Sequence, residues 1–253
     1  MMLHQLHQPI LLTLLTFLTP PLLHSNSNFH FQAQALTSHQ IPYAVNLRVQ
    51  IQPQRRTDFL NLIRQNQKLT LETESDALQY VVGEDVDTPN VFYIHEQFLS
   101  AKAFDVHRDT DHAKEWAAFK ATGPFLDSSL DFYYCANTKP CRRDVRELFG
   151  VHVQVFVKKS RCEEFLKVID NSRRKSLEVE DKCLQYVYGS CVDYVSDDGG
   201  GEEEDCKFVL HEEYTSQEGF VEHTQTDHFK VWEEFVESKP FTKDPVISLF
   251  ETI

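Results

Sequence analysis

The feature that most constrains this chain is that it is written twice. Setting Phe59-Leu60 on Phe165-Leu166 gives an offset of 106, which also carries Leu71-Glu72 onto Leu177-Glu178 and Gly83 onto Gly189. The same offset places Leu78-Gln79-Tyr80-Val81 on Leu184-Gln185-Tyr186-Val187. Beyond an acidic stretch the offset becomes 116, so that His95-Glu96 falls on His211-Glu212, Ser100 on Ser216 and Phe104 on Phe220. His107-x-x-Thr110-Asp111-His112 then falls on His223-x-x-Thr226-Asp227-His228, and Trp116, Phe119 and Pro124-Phe125 fall on Trp232, Phe235 and Pro240-Phe241. A register held through a whole module and broken by one ten-residue insertion is the signature of duplication.

Each copy reads as β-α-β-β-α-β. Tyr43, Val45, Leu47, Val49 and Ile51 alternate with polar neighbours, the period of a half-buried strand, and Val151, Val153, Val155 and Val157 repeat it. A helix opening at Thr57 carries Phe59, Leu60, Leu62 and Ile63 on one face, matched by Phe165, Leu166 and Ile169. Ala77–Val82 and Val91–Leu99 form a hairpin. Ser100 and Thr110 have the chemistry of helix N-caps, and a last strand is expected over Leu130–Tyr134 and Val246–Phe250.

The fold class is therefore α+β: two ferredoxin-like modules whose bare sheet faces bury against each other as an intramolecular dimeric barrel. The expected boundaries are 43–135 and 150–253, with a linker over 136–149. Because one chain supplies both halves, a monomer is expected.

Residues 1–35 contain no Lys, Arg, Asp or Glu. The apolar run Ile10–Leu18, Pro20-Pro21 and the closing Ala33-Gln34-Ala35 match a cleaved secretory signal, too short to span a bilayer. A secreted or lumenal destination follows, with an organelle such as the plastid as the alternative. All six cysteines lie beyond this segment, none in a metal-ligand spacing. Cys191 and Cys206 bracket the run Asp197–Asp205 and are expected to be bonded, while Cys135 and Cys141 are placed to staple the linker. The acidic run itself reads as a solvated loop. A formal charge of −14 argues against nucleic acid or an anionic membrane as partner.

Phe92-Tyr93-Ile94-His95-Glu96-Gln97-Phe98, followed by Ala103-Phe104-x-x-His107-x-x-Thr110-x-His112, resembles the signature of the antibiotic-biosynthesis monooxygenase (ABM) family. Phe208–Glu212 and His223-x-x-Thr226-x-His228 resemble it equally. The resemblance implies the dimeric α/β-barrel fold and leaves the reaction open, because the family includes cofactor-free oxygenases, an isomerase and haem-degrading enzymes. The haem-degrading branch uses an Asn, a Trp and a His where this chain has Leu47, Phe98 and Ala117, or Val153, Tyr214 and Glu233. Haem chemistry is not implied.

The retained polar residues are the candidate site. Glu96 and Glu212 stand mid-strand, where a carboxylate must face water, a partner or a pocket. A Glu96–His107 pair, repeated as Glu212–His223, would suit proton transfer near neutral pH, the carboxylate setting the imidazole tautomer. Tyr80, His112 and Trp116, with Tyr186, His228 and Trp232, would rim the substrate site. The same residues also fit a structural reading: His112 bonding a backbone carbonyl, Glu96 tying strand to helix, the aromatics as core. His95 and His211 alternate to the opposite strand face, toward the barrel seam, as packing residues. No His pair has the i,i+4 spacing of a helical metal site, so no metal is expected. With no phosphate loop or dinucleotide fingerprint, no cofactor is expected either.

The implied partner is a small apolar or aromatic molecule. The implied activity is direct reaction of O2 with a small phenolic or quinol. Proton-transfer isomerisation of a hydroxy-ketone and non-catalytic ligand binding are the alternatives.

Overall fold

The computed structural model describes residues 41–136, 147–192 and 204–253. The leader, Cys141 with its expected staple, and the acidic run as far as residue 203 lie outside the described residues.

The first copy gives β1 (Tyr43–Ile51), α1 (Arg56–Thr73), β2 (Ala77–Asp85), β3 (Val91–Phe98), α2 (Ala101–Arg108), α3 (Asp111–Ala121) and β4 (Phe125–Cys135). The second gives β5 (Phe149–Lys158), α4 (Cys162–Val179), β6 (Cys183–Cys191), β7 (Asp205–Tyr214), α5 (Gln217–His223), α6 (Asp227–Glu237) and β8 (Phe241–Thr252). Ser100 and Thr110 cap α2 and α3 through their hydroxyls, which accept from the amides of Ala103 and Ala113. Ser216 and Thr226 do the same for α5 and α6.

The last strands run further than their apolar stretches. β4 follows β1 back to Phe125, past a bulge at Gln50/Ile51, although residues 126–130 are exposed. β8 reaches back to Phe241 through irregular pairing around Pro245, which has no amide hydrogen to give the ladder. Backbone pairing with a buried neighbour extends these strands where side-chain patterning gives no signal.

The eight strands close into one antiparallel barrel in the order β1-β3-β2-β8-β5-β7-β6-β4. Each copy contributes four adjacent strands. The two seams are short: Gly83, Glu84 and Asp85 of β2 face Thr252, Glu251 and Phe250 of β8, and Tyr133, Tyr134 and Cys135 of β4 face Cys191, Ser190 and Gly189 of β6. The glycine kept in both copies sits at a seam each time. A Cβ at Gly83 would lie 2.1 Å from the Phe250 ring, and one at Gly189 only 2.1 Å from the Tyr134 carbonyl oxygen.

Strand alternation then divides the protein into two environments. The outer face packs Val49, Ile51, Tyr80, Val82, Phe92 and Ile94 under Phe59 and Ile63 of α1, and the second copy builds the equivalent cluster around Phe165 and Ile169 of α4. Full burial of one such Phe or Ile contributes about 1.5–3 kcal/mol, so these clusters dominate stability. The buried stripe of α1 continues as Asn66 and Thr70, and that of α4 as Ser172 and Ser176. One end of each helix–sheet interface is therefore polar. The inner face is polar as well: Asn46, Gln79, His95, Asp131, His152, Gln185, His211 and Glu213 are all buried there.

This division overturns the expected Cys191–Cys206 bond, since both are free thiols. The Cys191 thiol lies on the lumen side and donates to Asp131, whereas Cys206 packs on the helix side with Val157 and Phe208. Thiols on opposite faces of a sheet cannot meet. Cys206 instead meets Cys162 at the start of α4.

Candidate functional site

The polar end of the α1 interface gathers most of the expected residues around one that the sequence reading missed. Glu74, the C-cap residue of α1, takes hydrogen bonds from His107 Nδ1 at 2.9 Å and from His112 Nε2 at 2.7 Å. A carboxylate at a helix C-terminus opposes the helix dipole, so two histidine donors are the compensation this position needs. The arrangement is fixed from both sides. Thr110 accepts from the Ala113 amide and donates to the His107 carbonyl at 2.7 Å, locking the α2–α3 corner that carries both histidines. Asn66 donates to the His112 carbonyl oxygen, and Thr70 lies 3.3 Å from His112 Nε2.

The expected Glu96–His107 pair is present as a neighbour contact rather than a hydrogen bond, with His107 Nε2 3.7 Å from Glu96 Oε2. Glu74, not Glu96, sets the His107 tautomer: with Nδ1 donating, the Nε2 lone pair faces Glu96. Nor does His112 bond a backbone carbonyl through its ring; it goes to Glu74. Burial lowers the His107 pKa, opposed by the hydrogen bond and charge of Glu74, and it raises that of Glu96 to about 7 despite a hydrogen bond from Tyr80. Tyr80 is buried beside Glu96, and desolvation holds its phenol well above the usual range. The first copy thus lines up Tyr80, Glu96, His107, Glu74 and His112 as one run of proton-carrying groups. The side chains of His107 and Glu96 retain 6% and 12% exposure.

The second copy rebuilds this with Glu180, which lies at the Glu74 offset of 106. Glu180 accepts from His223 Nδ1 at 2.9 Å and closely from His228 Nε2. Burial would raise its pKa, but the hydrogen bonds from His223 and His228 prevail and lower it. Ser176 contacts both histidines, at 3.3 and 3.2 Å. Here Glu212 has an additional partner, the Tyr214 hydroxyl donating at 2.6 Å, where the first copy has Phe98. The copies share a plan and differ at their strand glutamate. Trp116 and Trp232 join neither run; they pack in aromatic clusters with Phe59, Phe119 and Phe125, and with Phe165, Phe235 and Phe241.

A third group lies in the barrel. His95 and His211, expected on the strand face opposite Glu96 and toward the barrel seam, face the lumen, where they stack with ring centroids 3.7 Å apart, and His152 Nε2 is 2.8 Å from His211 Nδ1. Burial lowers the pKa of His95 and of His152 well below the usual range, so both rings are neutral at pH 7. Spacing along a single helix, from which no metal was expected, does not register side chains brought together from different elements. The fold instead assembles three sets with ligand atoms within 4.8 Å of one another: His95/His152/His211, Glu74/His107/His112 and Glu180/His223/His228.

Two cavities stand out among the described residues. One, of about 70 Å³, opens on the lumen between Asn46, Tyr93, Asp131, His152 and Gln154, with room for a few waters and not for an aromatic ring. The other, of about 350 Å³, lies at the β2–β3 turn against Glu251–Ile253. Glu96 and His107 line neither.

Known proteins agree with this architecture. The family model for antibiotic biosynthesis monooxygenase matches residues 42–118 and again 148–234, more than half of the chain. A search of curated proteins gave no match. Among solved structures, a candidate monooxygenase from Lactobacillus acidophilus superposes with a TM-score of 0.67 at 17% identity, covering 83% of this chain and 93% of its own. One from Fusobacterium nucleatum gives 0.69 at 17% identity, covering 85% and 93%. An anthrone oxidase-like protein gives 0.58 at 11% identity, covering 85% and 92%. These likenesses establish a shared fold, and the twofold family match goes further: this chain belongs to the antibiotic biosynthesis monooxygenase family and carries its domain twice.

Proposed function

We propose that the protein is a cofactor-independent monooxygenase that oxidises a small phenolic or quinol with O2, with His107 and His223 as general bases. The observation that carries this reading is the Glu74–His107 pair: Nδ1 is held as donor by a part-buried carboxylate, which leaves Nε2 free to take a proton. Removing the phenolic proton makes the ring electron-rich enough to react with O2 directly. The substrate then supplies all the electrons: one oxygen atom enters the product as a carbonyl and the other leaves as water. Glu96, poised near neutrality, returns a proton to the departing oxygen.

Oxygen uptake with a panel of quinols and phenols tests this. The His107→Gln/His223→Gln double variant should lose at least about 100-fold in turnover while still folding, as expected for removal of a general base. Normal turnover per folded molecule in that variant would overturn the assignment. A second reading, a non-catalytic small-molecule module, is favoured by one observation: the cavity of about 350 Å³ lies at the β2–β3 turn, away from Glu96 and His107. Under that reading no substrate in the panel consumes oxygen, although ligands still raise the melting temperature.

A further inference from the structure

We propose that the barrel lumen is a metal site in which His95, His152 and His211 bind one borderline divalent transition-metal ion, of which Zn²⁺ is the representative probe. The inference is independent of the oxygenase reading, which uses the helix-side residues. His95 comes from the first module and His152 and His211 from the second, so the ion would join the two halves at their centre.

Several observations point to a ligand here. His95 is fully buried, and its Nδ1 is 2.7 Å from Asn46 Oδ1, while its Nε2 has no hydrogen-bond partner. With Nδ1–H donating to Asn46, Nε2 presents an unused lone pair inside the barrel. His211 is prepared in the same way: Nε2–H donates to Glu213 at 2.8 Å, leaving Nδ1 as the ligand atom. A carboxylate or amide oxygen holding the far side of a ligating imidazole is the usual outer support of such sites. His152 Nε2 already lies 2.8 Å from His211 Nδ1, so the two ligand atoms are close to the separation that one shared ion imposes.

The charge also fits. Glu213 is fully buried and receives His211 Nε2–H and the Gln79 amide, while its second oxygen has no partner. A buried carboxyl group with one unpartnered oxygen is costly, and a divalent ion behind His211 would offset that cost. The cavity of about 70 Å³ reaches His152 and Asn46, which provides both an entry path and room for a water as fourth ligand. Three neutral imidazoles and a water suit Zn²⁺, Co²⁺ or Cu²⁺ rather than Mg²⁺ or Ca²⁺.

Binding requires two adjustments. The proton between His152 and His211 moves to His152 Nδ1, a tautomer change that releases none. The stacked His95 and His211 rings must also splay about χ2, a soft torsion in histidine, because parallel rings cannot both aim an in-plane lone pair at one ion.

The first copy has Asn46 where the second has His152, so His152→Asn installs a residue this fold already accepts there. The test uses the full chain, stripped with chelator and titrated with Zn²⁺ and Co²⁺. The wild-type protein should take up about one equivalent, give the visible absorption of tetrahedral Co²⁺, and melt higher with Zn²⁺ than without it. His152→Asn and His95→Gln should each weaken binding at least about 100-fold and abolish both signals. Wild-type protein that binds no metal would overturn the proposal. So would binding that survives both variants but is lost in Glu74→Gln/Glu180→Gln, which would place the ion at the helix-side triads.

Discussion

Glu96→Gln is a substitution whose consequence can be worked from the structure. Glu96 faces α1–α3 from β3, beside Tyr80, His107 and Glu74. Burial pushes its carboxyl from 4.5 to about 7; the Glu74 charge adds to this, and the Tyr80 hydrogen bond and the Lys120 charge oppose it. A raised folded pKa means that the native state prefers the protonated form. Its stabilising contribution is complete below the unfolded value of 4.5, declines as pH rises, and is gone above about 7. At about 1.4 kcal/mol per pH unit, that interval is worth roughly 3 kcal/mol. Gln keeps the size and an acceptor for Tyr80 and does not ionise.

Relative to wild type, the variant should therefore gain roughly 3 kcal/mol between about pH 4 and pH 8, or about 6–12 °C in melting temperature for a protein of this size. Urea unfolding of both proteins across that range measures the difference directly. His95, His107 and His152 titrate in both, with folded pKa values lowered by burial; their contribution is present at high pH and is lost as pH falls below about 6.5, so it largely cancels in the comparison. Stability curves that stay parallel within about 0.5 kcal/mol would show that the Glu96 carboxyl is not desolvated, and the argument would fail.

The barrel should be sensitive to single methyl groups, both beside a seam at Gly150 of β5 and on a seam at Gly189 of β6. Gly150→Ala places a Cβ 2.1 Å from the Phe250 ring and should cost about 1–3 kcal/mol by urea unfolding, with coupling to Phe250→Leu in a double-mutant cycle. Gly189→Ala meets the Tyr134 carbonyl oxygen instead and should cost more, because no side-chain change relieves it. Among the thiols, the hydrogen bond from Cys162 lowers Cys206 to about 7, whereas burial raises Cys135 and Cys191 to about 12. Iodoacetamide at about pH 7.5 should modify Cys206 first, and peptide mapping after mild oxidation should find it joined to Cys162 rather than Cys191. Light scattering at micromolar concentration should give a monomer mass; a dimer would mean that the modules pair between chains.

The duplication was legible in the sequence because two copies keep one register, and the strand and helix order, the Ser100 and Thr110 caps and the strand face of His95 and His211 were legible because each depends on residues close together in the chain. A capping hydroxyl meets an amide three residues on, and strand alternation assigns a face whatever the partner. Glu74 and Glu180 also left a trace, the same acid at the same offset just past an amphipathic helix whose buried stripe turns polar. That trace carries no functional signal by itself, because a helix-end carboxylate ordinarily faces water.

The tertiary structure decided which atoms meet. His107 and Glu74 are 33 residues apart in sequence, and only the packing of the α2–α3 corner on the end of α1 makes them partners. Cys191 and Cys206 lie at neighbouring strand ends, but the pleat turns them to opposite faces. His95, His152 and His211 share no local spacing, and closing the barrel is what brings them together. Local pattern fixes an element and its faces, whereas contacts between distant elements depend on register and closure, which no local stretch of sequence encodes.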